Sequence, residues 1–248
     1  MNISEINSIF HRSIIMIPCR IESSRLHRKA LLDCEGKTLL QRTYERAQGS
    51  LASKVMVISD SPEIQDYCNV HRMNFLKIEG DIPNGTVRCS HAISKIMSMG
   101  KQYDIVVNWQ VDEPLISFTA IDLLIHQTRM KNEIGTIVAD RPPKGEDKEN
   151  PNITKVVTSE TTSHCMWFSR LPMVGQKYHC GIYCFPVKIL SKLASYRPTE
   201  KSKSYSLEQL TWLENGFKIH SINIPRMPLG VNTEEDLLKY RELLNEEH

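Results

Sequence analysis

The sequence predicts an α/β fold: a mostly parallel central sheet with helices on both faces and a small β-rich inserted lobe. Apolar runs such as Ile14-Ile15-Met16-Ile17 and Val55-Met56-Val57-Ile58 lack polar alternation, as strands covered on both sides should. Each is followed by a loop rich in breakers and then by a segment with helical start signals. Strands alternating with helices imply right-handed crossovers between parallel neighbours. At 248 residues the chain is long enough to bury a single large core.

Residues 1–12 form an N-terminal extension, and one domain spans 13–248. The first strand starts at Ser13 and ends at Pro18. Thr38-Leu39-Leu40-Gln41 has the capping-box pattern and opens a helix that Gly49 stops. Lys54 to Ser59 is the second strand, Asp60-Ser61-Pro62 begins the second helix, and Asn74 to Ile78 is a short strand. A helix over Arg88 to Met99 precedes the strand Asp104 to Trp109. A helix over Phe118 to Met130 precedes the strand Gly135 to Ala139. The charged, proline-rich stretch from Pro142 to Pro151 then changes the texture. Short runs at Ile153 to Thr158, Cys165 to Ser169 and Cys180 to Phe185 predict the β-rich lobe around 150–186. Helices over Val187 to Ala194 and Leu207 to Glu214, a strand Phe217 to Ile224 and an amphipathic helix from Thr233 complete the chain.

Thirty-one Lys and Arg against 29 Asp and Glu leave a formal charge of +2, too little for nucleic-acid or membrane-surface binding. No run reaches the roughly 18 to 20 apolar residues of a membrane span. Seven cysteines without a Cys-x-x-Cys pair point to free thiols, so a cytoplasmic protein is expected.

In open α/β sheets ligands sit beyond the carboxyl ends of the strands. After the first strand, Arg20, Arg25, Arg28 and Lys29 crowd a loop without glycine. Guanidinium and ammonium groups, rather than backbone amides, must then neutralise a polyphosphate. After the strand ending at Trp109, Asp112 and Glu113 place two carboxylates at the same edge. One of them suits Mg²⁺, which needs few protein oxygens when a substrate phosphate supplies the rest. The alternatives are a solvated charge run and an acidic helix start.

Ile17-Pro18-Cys19-Arg20, Ser24-Arg25, Lys29, Gly36-Lys37 and Tyr44-Glu45-Arg46-Ala47 resemble the opening of the CMP-Kdo synthetases, the 3-deoxy-manno-octulosonate (Kdo) cytidylyltransferases. Colinear blocks follow at Asn84-Gly85-Thr86-Val87-Arg88, Gln110 with Asp112-Glu113-Pro114-Leu115, Asn150-Pro151-Asn152 with Lys155, Phe168-Ser169-Arg170, His179 with Gly181-Ile182-Tyr183, Leu207-Glu208-Gln209-Leu210, and Gly230-Val231-Asn232-Thr233. The resemblance implies a Rossmann-like nucleotidyltransferase fold and a homodimer. It also implies Mg²⁺-dependent transfer of CMP from CTP to Kdo or a related sugar acid, with release of pyrophosphate, for lipopolysaccharide biosynthesis. By position it puts Arg20, Arg25 and Lys29 at the triphosphate and Gly85, Thr86 and Arg88 at the nucleoside, with Pro18, Ser24 and Asn84 also binding the nucleotide. It puts Asp112 and Asn232 at the metal, and Gln110, Arg170, His179, Tyr183, Glu208 and Gln209 at the sugar. Arg20, Arg25, Lys29 and Asp112 are the residues expected to carry catalysis.

Four departures mark a divergent member. Asn232 replaces an aspartate, removing one negative charge, and with Glu235 it has a capping-box pattern of its own. Val87 replaces an aspartate near the nucleoside. Val111 replaces a glycine, adding bulk where backbone approaches ligand. The segment between Arg170 and His179 is short for the family. These leave two alternatives open: another acceptor, such as a pentose phosphate whose own oxygens hold Mg²⁺, and a catalytically silent nucleotide-binding relative.

Overall fold

A computed structural model describes residues 9–22, 26–80 and 82–246. Strand β1 (Ser13–Pro18) is buried along its whole length and pairs in parallel with β2 (Lys54–Ser59) on one side and β4 (Ile105–Asn108) on the other. β3 (Phe75–Lys77) continues the parallel order beyond β2. β8 (Lys177–Pro186) runs antiparallel between β4 and β5 (Ile134–Ala139), and β9 (Ile219–Ile224) lies parallel to β5 at the far edge. The sheet order is therefore β3-β2-β1-β4-β8-β5-β9.

Alternate residues of each strand feed two cores, because successive side chains point to opposite faces. Ile15 and Ile17 join α1 (Leu39–Gln48), α2 (Pro62–Val70) and α4 (Phe118–Lys131) on one face. Ile14 and Met16 join α3 (Gly85–Ser98), α5 (Val187–Leu193) and α7 (Glu208–Glu214) on the other. The helix starts follow local chemistry. Thr38 Oγ1 accepts the Gln41 N–H at 3.1 Å and Ser61 Oγ that of Ile64 at 3.3 Å.

The structure differs from the expectation at four places. The β-rich lobe is not set apart: β6 (Lys155–Thr158) and β7 (Cys165–Ser169) pair beside the first residues of β8, whose second half is a central strand. Its run Cys180 to Phe185 is apolar because helices cover it, apart from a half-buried Gly181. α3 starts at Gly85 rather than Arg88, capped by Asn84, whose Oδ1 accepts the Val87 N–H at 2.9 Å. A 3₁₀ turn, Lys29–Leu31, and the short helix α6 (Glu200–Tyr205) have no periodic signal to announce them. At the last helix, α8 (Glu234–Glu246), the capping pair is Thr233 and Asp236, one residue beyond Asn232 and Glu235. In the N-terminal extension, Ile9 and Phe10 lie in the core.

All seven cysteines are free and buried. No described helix is long and apolar enough to cross a membrane.

Candidate active site

The carboxyl ends of β1 and β4 meet the start of α3 around a cavity of about 350 Å³. Pro18, Arg20, Lys29, Gly85, Arg88, Gln110 and Asp112 line it, so the chain brings together residues far apart in sequence. The 3₁₀ turn carries Lys29 back over the sheet edge, where its Nζ lies 2.5 Å from Asp112 Oδ2. Arg20 donates from Nη2 to the Ile82 carbonyl at 2.6 Å. Arg88 is 2% exposed and donates from Nη1 to Asp60 Oδ1 at 3.1 Å and to the Ile78 carbonyl at 3.2 Å. These two guanidinium groups also border an adjoining cavity with Ser61, Gly80 and Ile82. Arg28 instead pairs outward with Glu63. Ser24 and Arg25 lie outside the described residues.

Gly85 is required by close approach. A Cβ there would stand 3.0 Å from Pro18 Cγ and 2.9 Å from Gln110 Nε2. The first turn of α3 thereby presses against the cavity with its amides, a favourable place for an anion. A relay of polar groups leads from it. Gln110 Nε2 donates to Asn108 Oδ1 at 2.8 Å, Asn108 Nδ2 to Thr86 Oγ1 at 3.4 Å, and Thr86 Oγ1 to Glu208 Oε1 at 2.9 Å. Loss of surrounding water raises the Glu208 carboxyl to about 7, against the opposing Thr86 hydrogen bond.

The loop after β4 is held from three sides. Thr43 Oγ1 donates to the Val111 carbonyl at 2.8 Å, Val231 N–H to the Asp112 carbonyl at 2.8 Å, and Trp109 Nε1 to the Glu113 carbonyl at 2.9 Å. Val111 packs into the core as well as bordering the cavity, so its added bulk is absorbed largely by protein. Val87 likewise packs against the core on its face of the sheet. Burial, with Asp112 beside it, pushes the Glu113 carboxyl up to about 8.

Of the expected sugar residues, Gln110 lines the first cavity and Glu208 ends the relay, whereas His179 and Tyr183 meet in a second, buried group. His179 and Tyr183, on β8, are 6% and 4% exposed, and Gln209, on α7, is 3% exposed. His179 and Tyr183 sit in an aromatic cluster. Phe168 meets His179 at 5.1 Å between ring centroids, His179 meets Tyr183 at 5.1 Å, and Tyr183 meets Trp212 at 4.8 Å. Thr136 donates its hydroxyl proton to the Ile182 carbonyl at 2.7 Å and so accepts from His179 Nε2 at 2.9 Å, which assigns the ring proton to Nε2. Burial, then the Arg170 charge, lowers this imidazole to about 3. The Tyr183 hydroxyl is buried without a partner among the described residues. Arg170 Nη1 donates to the Asn152 carbonyl at 3.0 Å. Buried Lys155 holds the Asn150 and Arg170 carbonyls at 2.5 and 3.2 Å.

Asn232 is not at the cavity with Asp112. It borders a separate cavity of about 160 Å³ with Asn150, Asn152 and Lys239. Gly230 adjoins both: the position of a Cβ there is 3.5 Å from Asn232 Nδ2 and 3.3 Å from the Asp112 carbonyl. Among the described residues no three His, Cys, Asp or Glu side chains cluster as a metal site.

The buried titratable groups give the fold a pH profile. His179 and His220, lowered to about 3 and about 4 from 6.5, stay neutral in the fold while the unfolded chain protonates. They cost stability as pH falls below 6.5. Glu113 and Glu208, raised to about 8 and about 7 from 4.5, keep protons that the unfolded chain has lost. They cost stability as pH rises above 4.5. The two pairs oppose each other between 4.5 and 6.5. The metal-free protein should therefore lose melting temperature above pH 6.5, and Glu208→Gln should shallow that decline in scanning calorimetry.

A family profile described as "Cytidylyltransferase" matches residues 14–219. A 3-deoxy-manno-octulosonate cytidylyltransferase of Koribacter versatilis is 34% identical over 245 residues, 94% of this chain and 90% of that one. Its counterpart in Polynucleobacter necessarius is 36% identical over 245 residues, 93% of this chain and 95% of that one. The chain belongs to the CMP-Kdo synthetase family. Among solved structures, a CMP:2-keto-3-deoxy-manno-octonic acid synthetase complexed with CTP superposes with a TM-score of 0.85 at 27% identity, covering 96% of this chain and 100% of that one. A 4-diphosphocytidyl-2C-methyl-D-erythritol synthase at 13% identity and a TM-score of 0.67, covering 94% and 100%, shares the fold alone. As a member of this family the chain is a nucleotidyltransferase, and its central sheet and flanking helices are those the sequence predicts.

Proposed function

We propose that this CMP-Kdo synthetase family member transfers CMP from CTP to Kdo or a related sugar acid, with Mg²⁺ and release of pyrophosphate. The observation that carries this is the enclosure of Arg20, Lys29 and Asp112 in one cavity against the start of α3. The relative complexed with CTP supports the nucleotide, and the relatives' shared name supports the acceptor.

The acceptor hydroxyl oxygen bonds to the α-phosphorus as the α–β phosphoanhydride bond breaks; its proton passes to water and the electron pair leaves on pyrophosphate. Arg20 and Lys29 neutralise the phosphate oxygens, and the α3 amides add partial positive charge. Asn84, Gly85, Thr86 and Arg88 hold the nucleoside, while Gln110, Arg170, His179, Tyr183, Glu208 and Gln209 orient the sugar. The donor set suits a hard cation that draws most of its oxygens from phosphate. Asp112 would hold it, with the Asn232 amide oxygen the second candidate, and Mg²⁺ would supply charge neutralisation at the phosphates.

Pyrophosphate release with CTP or UTP, against Kdo, other ulosonic acids and pentose phosphates, tests the assignment. Turnover with CTP and a sugar acid upholds it. Turnover with a sugar phosphate alone replaces the acceptor, and CTP binding without any turnover marks a silent relative. Asn232→Asp, which restores a carboxylate beside Gly230, should tighten Mn²⁺ binding roughly three- to tenfold by calorimetry, the scale of one added charge near a partly solvated ion. The family's homodimer is tested by sedimentation equilibrium, where a two-chain species upholds it.

A further inference from the structure

Strand β8 carries an irregularity at the centre of the acceptor group. Thr136 pairs with Tyr183 but the adjacent Ile137 pairs with Cys180, so Gly181 and Ile182 have no partner on β5. β4 reaches only Tyr183 to Pro186, and β6 only Lys177 and Tyr178. Two extra residues preserve the alternation of a strand, so His179 and Tyr183 stay on one face while the backbone between them arches. An arch of this kind leaves backbone groups to be satisfied elsewhere. The Ile182 carbonyl receives the Thr136 hydroxyl at 2.7 Å, and the Gly181 N–H donates to Glu113 Oε1 at 3.1 Å.

Glu113 therefore takes the place of a neighbouring strand. It does so from the loop that carries Asp112. A Cβ on Gly181 would stand 3.3 Å from Glu113 Oε1, and one on Gly230 would stand 3.7 Å from Glu113 Cδ. The carboxyl group thus sits where the Asp112 loop, the acceptor strand and the Asn232 loop converge. Its second oxygen is buried with no partner among the described residues, so Oε1 alone makes the tie.

We infer that Glu113 is a positioning residue: by capping the β8 arch at Gly181, it fixes His179 and Tyr183 relative to the loop that carries Gln110 and Asp112. This rests on the acceptor assignment proposed above. The tie requires an acceptor oxygen at the Oε1 position and a side chain of glutamate length. Glutamine meets both requirements, aspartate is one methylene short, and alanine provides neither.

The test compares Glu113→Ala, Glu113→Gln and Glu113→Asp in the full chain. CTP affinity is measured by calorimetry, the KM for Kdo by pyrophosphate release, and Gly181 amide exchange by NMR. Alanine and aspartate should raise the Kdo KM about tenfold or more, the scale of displacing a substrate-positioning group. CTP affinity should stay within about twofold, and glutamine should return the KM to within about threefold of the parent. A Kdo KM unmoved by alanine and aspartate, or losses of CTP and Kdo binding that glutamine does not relieve, would overturn the inference. Should the parent fail to use Kdo, the acceptor assignment falls, and the exchange measurement decides the tie on its own. Fast Gly181 exchange in the aspartate protein with protection kept in the glutamine protein upholds it, and equal exchange refutes it. If the alanine protein does not fold, the glutamine and aspartate pair carries the comparison.

Discussion

Asp112→Asn should slow pyrophosphate release by about a hundred- to a thousandfold, the usual cost of removing one charge contact that acts in the transition state. The substitution preserves size and one acceptor oxygen, so the Val231 tie to the residue 112 carbonyl is retained. The carboxylate charge facing the cavity is lost. A second consequence separates a binding defect from a catalytic one. Asp112 holds Lys29 at 2.5 Å in the ligand-free protein, and the amide would release that ammonium. CTP should then bind in EDTA at least as tightly as to the parent, although turnover with Mg²⁺ collapses. Calorimetry with and without EDTA, beside a coupled pyrophosphate assay, gives both numbers. A variant retaining more than a tenth of parental turnover would remove Asp112 from the reaction.

Lys29→Met should have an effect of similar size, about a hundredfold or more on turnover, but with the opposite signature in binding. Methionine keeps the length and apolar stem of lysine, so packing over the 3₁₀ turn changes little. Weaker CTP binding follows from the lost cation. Divalent metal binding without nucleotide should improve, because the ammonium now competes for Asp112 Oδ2. Mn²⁺ titration followed by electron paramagnetic resonance reads this directly. Arg20→Ala is the control: it removes the same charge from the same cavity, but its guanidinium rests on the Ile82 carbonyl rather than on Asp112. If both variants improve Mn²⁺ binding equally, the gain is a general field effect and the exchange of lysine for metal at Asp112 is refuted.

Strands with unbroken apolar runs were legible because both faces are covered, and Lys54 to Ser59 coincides with β2. Cys165 to Ser169 coincides with β7 although Met166 on it is exposed. Pairing was not legible in the same way. Nothing local tells Cys180 to Phe185 that it will lie between β4 and β5, since its partners come from distant segments. The shift of the cap from Asn232 to Thr233 has a similar cause: Asn-x-x-Glu and Thr-x-x-Asp are both acceptable starts one residue apart, and packing of Val231 and Leu237 in one core chooses between them. At the site, the cationic loop, Asp112 and Glu113 were singled out by charge at a strand end. The burial of Glu113 and Lys155 was not foreseen. Each is a charged residue that sequence places at a surface by default, yet each is buried against backbone groups that only the folded chain brings near.

The antiparallel insertion of β8 has a bearing on how the chain is assembled. During synthesis the parallel half, β3-β2-β1-β4, is complete before β8 has been made. Until Tyr183 to Pro186 emerge, Ile105 to Asn108 present a bare hydrogen-bonding edge, the kind of surface that recruits strands from other nascent chains. β5 is translated before β8 and packs on α4, but has no strand to pair with until the same segment arrives. Ribosome-bound intermediates stalled ahead of Lys177 accordingly need chaperone cover, because a late strand joins β4 to β5 and β9 completes the far edge only after it.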